Sequence, residues 1–135
     1  NANDENDEND AEKTDIQQRV QISNIVYTDD SDIKNTYGNQ GLSKIFKIEK
    51  GKKGDYKVEY KDRKNQILDS NNLKNHSPKI NLLLENINKS EGIVLVYSRY
   101  LASGVIPIAI ALEHNGFNKL NNKNILKGGN KTKKK

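Results

Sequence analysis

The apolar residues of this 135-residue chain crowd into the stretch 91–117, EGIVLVYSRYLASGVIPIAIALEHNGF. Ile93 to Tyr97 form an unbroken, β-branched run behind Gly92. A run that short and apolar on both faces predicts a strand covered on two sides, as in a parallel sheet. Ser98, Arg99 and Tyr100 leave its carboxyl end. In open α/β sheets ligands gather at such ends, which makes these three the first functional candidates. The positions of Val105, Ile106, Ile108, Ala109, Ile110 and Leu112 predict a helix over 104–115, apolar round nearly its whole circumference and therefore buried. Ser103 stands where it can cap this helix, and Asn115-Gly116 is a usual stop. Pro107 falls in the first turn, where the amide it lacks has no helical partner. Upstream, Ser77-Pro78 opens another helix, with Ile80, Leu83, Leu84 and Ile87 recurring at i, i+3, i+4, i+7. The predicted order over this region is helix, strand, helix.

Before residue 77 the pattern is weaker. RVQISNIVYT, 19–28, alternates loosely and predicts a short strand. Residues 29–41 read as a polar loop. Ile45, Phe46 and Ile48, then Gly51-Lys52-Lys53-Gly54, then Tyr56, Val58 and Tyr60 predict a β-hairpin. The glycine-lysine turn is no phosphate loop, because its spacing is wrong and no Gly-Lys-Ser/Thr opens a helix there. Residues 61–76 contain no strong element. A single strand cannot make a parallel sheet, and little in the chain could cover the 104–112 helix. The pattern therefore implies a piece of something larger, or an exposed apolar patch.

Composition narrows the reading. Only 33% of residues are apolar and the mean hydropathy is −0.95, so only part of the chain can build a core. The absence of cysteine removes disulfides and thiolate metal sites, and two histidines are too few for a convincing metal centre. The sequence has no signal peptide and no long apolar span, which predicts a soluble, intracellular protein with no membrane partner. The net charge of +5 hides a polarity. Residues 1–15 carry seven acids against one lysine, and residues 119–135 carry seven lysines and no acid. Such ends repel themselves and are expected to stay solvated. Six lysines between Lys44 and Lys57 could form a basic ribbon or simply a solvated face.

SPKI at 77–80, VLVYSRY at 94–100 and SGVIPIAIALEHNGF at 103–117 resemble the opening of the second RecA-like domain of superfamily 2 helicases, of the type found in nucleocytoplasmic large DNA viruses. VLVYSRY corresponds to that family's motif IV, and RVQISNIVYT resembles its interdomain link. The resemblance spans about 19–127 and is strong over 77–117. It implies an α/β fold: an incomplete RecA-like helicase C-terminal half preceded by a small insert containing the β-hairpin, with disordered termini. The divisions it suggests are an acidic disordered segment at 1–18, a linker and insert at 19–76, the start of the helicase C-terminal domain at 77–120 and a basic tail at 121–135.

The same resemblance implies a function. In the family, motif IV lies on the nucleic-acid side of the domain, so Ser98, Arg99 and Tyr100 are expected to meet backbone phosphates. Ser103 and Gly104, at the amino end of the next helix, are expected to do the same. Such contacts would position a strand of DNA or RNA without reading its sequence. Arg99 is alternatively a plain surface charge or half of an internal ion pair, and Tyr97 a core aromatic. His114 would cap its helix at the carboxyl end. Glu91 and Glu113 do not suggest paired acid/base carboxylates. ATP and magnesium are implied for the parent protein only. The chain lacks the Gly-Lys-Ser/Thr loop, the acidic magnesium motif and the late glutamine/arginine motif, so it is expected to be non-catalytic alone. Its implied partners are nucleic acid, the missing ATPase domain and the rest of the helicase C-terminal domain; its implied setting is inside the cell, in the virion or viral factory. The alternative is a stand-alone basic nucleic-acid-binding or protein-interaction module without enzymatic activity.

Overall fold

The computed structural model describes residues 2–120 and 123–128, with side chains from Lys13 onward. Among the described residues the fold is mixed α/β: five α-helices and a two-stranded antiparallel hairpin. Helix α1 is Ala2–Asn24. It includes the acidic segment; of its described side chains, 13–17 are exposed and Gln18 is the first that is half-buried. The strand expected over 19–28 is thus corrected. The chain is helical to Asn24 and merely extended from Ile25 to Thr28. Straight-chain Gln17, Gln18, Arg19 and Gln21 favour the helix there, and Ile25 and Tyr27 serve the core beyond it.

A second helix, α2 (Gly38–Ile45), occupies part of the expected loop. Gly41 permits it to form: a Cβ there would stand 2.7 Å from the carbonyl carbon of Thr36 and 2.9 Å from the Tyr27 ring. The hairpin then forms as expected, β1 (Phe46–Lys50) and β2 (Tyr56–Tyr60) pairing Phe46 with Tyr60 and Ile48 with Val58. Glycine and lysine make a tight turn between them, with Lys53 at φ 60°. Helix α3 (Leu73–His76) is a single turn, and α4 (Pro78–Lys89) follows directly. The Ser77 hydroxyl accepts from the Ile80 amide at 3.0 Å and donates to the Asn24 carbonyl. One side chain therefore caps α4 and ties it to the end of α1. The last helix, α5 (Ile106–His114), is entered through a π-helical turn, Leu101–Val105, and stops at Asn115-Gly116 with Gly116 at φ 90°.

The core lies where α2, the hairpin and α5 meet. Tyr27, Phe46, Leu42, Ile67, Leu68, Leu73 and Ile110 are all buried. Ile67, Leu68 and Leu73 come from the polar stretch 61–76, where isolated apolar residues anchor turns that have no periodic pattern. The chain also returns after α5. Val58 donates to the Ile125 carbonyl and accepts from the Lys127 amide, both at 2.7 Å, which lays 125–127 parallel to β2. Glu113 holds it there, its two carboxylate oxygens accepting from Ile125 N at 2.6 Å and Leu126 N at 3.0 Å. Part of the expected basic tail is therefore packed, with Ile125 and Leu126 buried; 121, 122 and 129–135 lie outside the described residues.

His114 joins these layers. Tyr60 Oη accepts from the Leu68 amide at 3.3 Å and shares a hydrogen bond of 2.8 Å with His114 Nε2. Burial holds the His114 pKa below its ordinary 6.5, opposed in part by the Asp69 carboxylate. The folded state thus prefers the uncharged ring, and the unfolded chain binds the proton more readily. Stability from this source is complete above about pH 6.5 and falls as the pH drops from there toward the lowered folded value. Thermal unfolding followed from pH 8 to pH 5 should show Tm falling over the acid half of the range. His114→Gln should flatten that slope; an unchanged slope would contradict the assignment.

Candidate nucleic-acid interface

At the end of α4 the chain bends at Gly92, φ 93°, and runs extended from Ile93 to Ser98. The exposures alternate strictly: Ile93 103%, Val94 43%, Leu95 93%, Val96 38%, Tyr97 88%. That is the period of a β-strand with one face turned inward. Among the described residues, however, no backbone group hydrogen-bonds residues 91–97, and the segment is not a strand of any sheet. The expected strand covered on two sides is corrected here to an extended segment with bare edges and a bare outer face. Tyr97 is correspondingly exposed and is not a core aromatic. On the inner side Val94 and Val96 stand over α4 and α5. They share the lining of two open grooves, of about 480 Å³ beside Val20 and Leu83 and of about 400 Å³ beside Ile87 and Phe117.

The candidate residues beyond the segment divide into two groups. Ser98 Oγ accepts from the Tyr100 amide at 3.3 Å and donates to the Tyr100 carbonyl at 3.2 Å. This closes a tight turn whose outermost residue is Arg99. The Arg99 side chain is exposed and has no ion-pair or hydrogen-bond partner among the described residues. Tyr100 is half-buried beside it. Ser103 and Gly104, in contrast, are turned inward, which corrects their expected phosphate role. Ser103 is fully buried, its hydroxyl donating to Gln21 Oε1 at 2.9 Å, and it does not cap the helix. Gly104 is buried against Ser98; a Cβ there would overlap the Ser98 hydroxyl. The Tyr27 hydroxyl donates to the Ala102 carbonyl and fixes the same turn from the other side. Burial by a residue 82 positions earlier leaves no mark on the local pattern around Ser103.

One residue not singled out from the sequence joins the site. Lys79, in the first turn of α4, lines the larger groove together with Arg99, and its Nζ donates to Asn24 Oδ1 at 2.8 Å. Its place just after a strong Ser-Pro helix start was the available clue. Two lysines of the hairpin stand opposite acids. On the outer face Lys47 stands opposite Glu59 and Glu49 opposite Lys57. Arg63 pairs with Glu59 at 3.2 Å and Lys127 with Glu49 at 2.7 Å. Signs thus alternate across these two rungs, while Lys50 faces Tyr56. Among the described residues no cluster of three or more His, Cys, Asp or Glu side chains could hold a metal ion. Nor is any helix among them long and apolar enough to cross a membrane.

No family model, curated protein or solved structure matches the chain.

Proposed function

We propose that the chain is a fragment of a helicase-like, nucleic-acid-dependent ATPase: the opening of its second RecA-like domain. In this reading the turn Ser98–Tyr100 touches the nucleic-acid backbone, with Arg99 as the contacting cation. The observation that carries it is the bare 93–97 segment. Its inner residues Val94 and Val96 line grooves shared with α4 and α5, its outer face is open, and among the described residues neither edge is paired. A strand of that kind belongs inside a sheet with helices on both faces, and Arg99 then stands at the carboxyl edge where ligands of such sheets bind. The ATP and magnesium site belongs to the parent protein, and no step of hydrolysis is assigned to residues of this chain. The reading as a stand-alone basic module has less support, because two hairpin lysines stand opposite acids and the apolar surface is not closed.

The test is a salt titration against a labelled single-stranded oligonucleotide. Removing one phosphate contact lowers the slope of log affinity against log salt by about 0.7. Arg99→Ala should weaken binding and reduce the slope by about that amount for every sequence tried. An affinity indifferent to salt, or an identical slope in the variant, would remove Arg99 from the interface.

A further inference from the structure

The same bare segment has a property that its role in a larger sheet does not require: it is complementary to itself. We propose that residues 93–97 pair with the same residues of a second copy of this chain, antiparallel about a twofold axis at Leu95. The proposal rests on the reading of 93–97 as a strand without its sheet, and not on nucleic-acid binding.

In that register Leu95 faces Leu95, Val94 faces Val96 and Ile93 faces Tyr97. Residues directly opposite in an antiparallel pair lie on the same face. The exposed set 93, 95 and 97 therefore stays together, and so does the inner set 94 and 96. Apolar and aromatic–β-branched pairs of this kind are favourable cross-strand neighbours. A slip of one residue would set inner against outer positions, so the register is specified. The charges agree with it. Just beyond the paired run, where each chain bends at Gly92 and Arg99, Glu91 of one copy meets Arg99 of the other. Both are exposed, and neither has a partner among the described residues. The twofold makes two such ion pairs, one at each end, with Gly92 and Ser98 between charge and apolar run. A parallel pairing in register would instead set Glu91 beside Glu91 and Arg99 beside Arg99. The arrangement is isologous, closes on itself, and supplies backbone partners to one edge of each segment.

The chain has no cysteine, so single cysteines report the geometry cleanly. Opposed Cα atoms in an antiparallel pair lie about 4.5–5.5 Å apart, within the span of a disulfide. Leu95→Cys should therefore form a covalent dimer under mild oxidation, and Ile93→Cys should not, because its opposite number is Tyr97. Both sites are fully exposed, so neither substitution threatens the fold. By sedimentation, Arg99→Glu should weaken the dimer roughly tenfold by placing like charges at both ends. Adding Glu91→Arg to that variant should restore it. A wild-type chain that stays monomeric at all concentrations overturns the proposal, as does equal crosslinking at 93 and 95 or a double variant no tighter than the single one. Oligonucleotide binding measured on the same samples separates the two readings. A monomer that binds nucleic acid through Arg99 defeats only the dimer, and a dimer whose affinity for nucleic acid ignores Arg99 defeats only the interface.

Discussion

Phe46→Ala should lower the stability of the whole chain by about 3–5 kcal/mol. Phe46 is buried between two tyrosines, edge-on to Tyr27 with centroids 6.5 Å apart and tilted against Tyr60 at 4.5 Å. Tyr60 in turn meets the His114 ring at 5.7 Å. Four rings thus run from the segment after α1, through the hairpin, to the end of α5. The cost should sit high in its range, because the cavity cannot readily collapse. Tyr27 is tethered to Ala102, and Tyr60 to Leu68 and His114. With a native margin of roughly 5–15 kcal/mol, such a loss consumes a large share of it. Urea denaturation followed at the helical band of the circular dichroism should show one transition, moved to lower urea. Leu82→Ala, on the exposed face of α4, should move it by no more than about 0.5 kcal/mol. If the helical signal kept its midpoint in Phe46→Ala, the hairpin would be an insert folding apart from the helices around it.

The ring column also explains why a division at residue 77 is not visible in the packing. The segment before it supplies Tyr27, Phe46 and Tyr60, and the segment after it supplies Ile106, Ile110 and His114 to the same core. What could be read from the sequence were the elements whose determinants lie next to each other. Ser77-Pro78 and a four-residue apolar stripe define α4, and period-2 spacing about Gly-Lys-Lys-Gly defines the hairpin. Helix α2 was hidden by Gly38 and Gly41, which argue against a helix unless the close approach to Thr36 and Tyr27 is known. Ile125 and Leu126 were hidden by their lysine and asparagine neighbours, since what fixes them is Glu113. The run 93–97 has strand chemistry, yet a strand is defined by its partners, and none is present among the described residues. Of the candidate site, the structure shows Arg99 exposed, one of the alternatives the sequence left open. Ser103 could not be read, because its burial depends on Gln21 and Tyr27, far away in sequence.

That dependence makes Gly104 the residue through which the fold would act on the proposed interface. In Gly104→Ala the new methyl would overlap the Ser98 hydroxyl and stand 2.8 Å from the Ser98 Cβ, so one side must yield. The helix side is held by the Ser103–Gln21 bond and by Tyr27 on the Ala102 carbonyl. The Ser98–Tyr100 turn is held by the Ser98 hydroxyl, the group that is struck. The turn should therefore move, and Arg99 with it. Overpacking of this kind costs about 1–3 kcal/mol. In the proposed role it should also weaken oligonucleotide binding about as much as Arg99→Ala, although no charge has been removed. Ser98→Gly placed in the Gly104→Ala background removes the obstructing hydroxyl and should recover most of the stability. The two substitutions touch the same contact, so their effects should be strongly non-additive. Additive losses, or a Gly104→Ala protein as stable and as tight-binding as the wild type, would mean that Arg99 is positioned by something other than this contact.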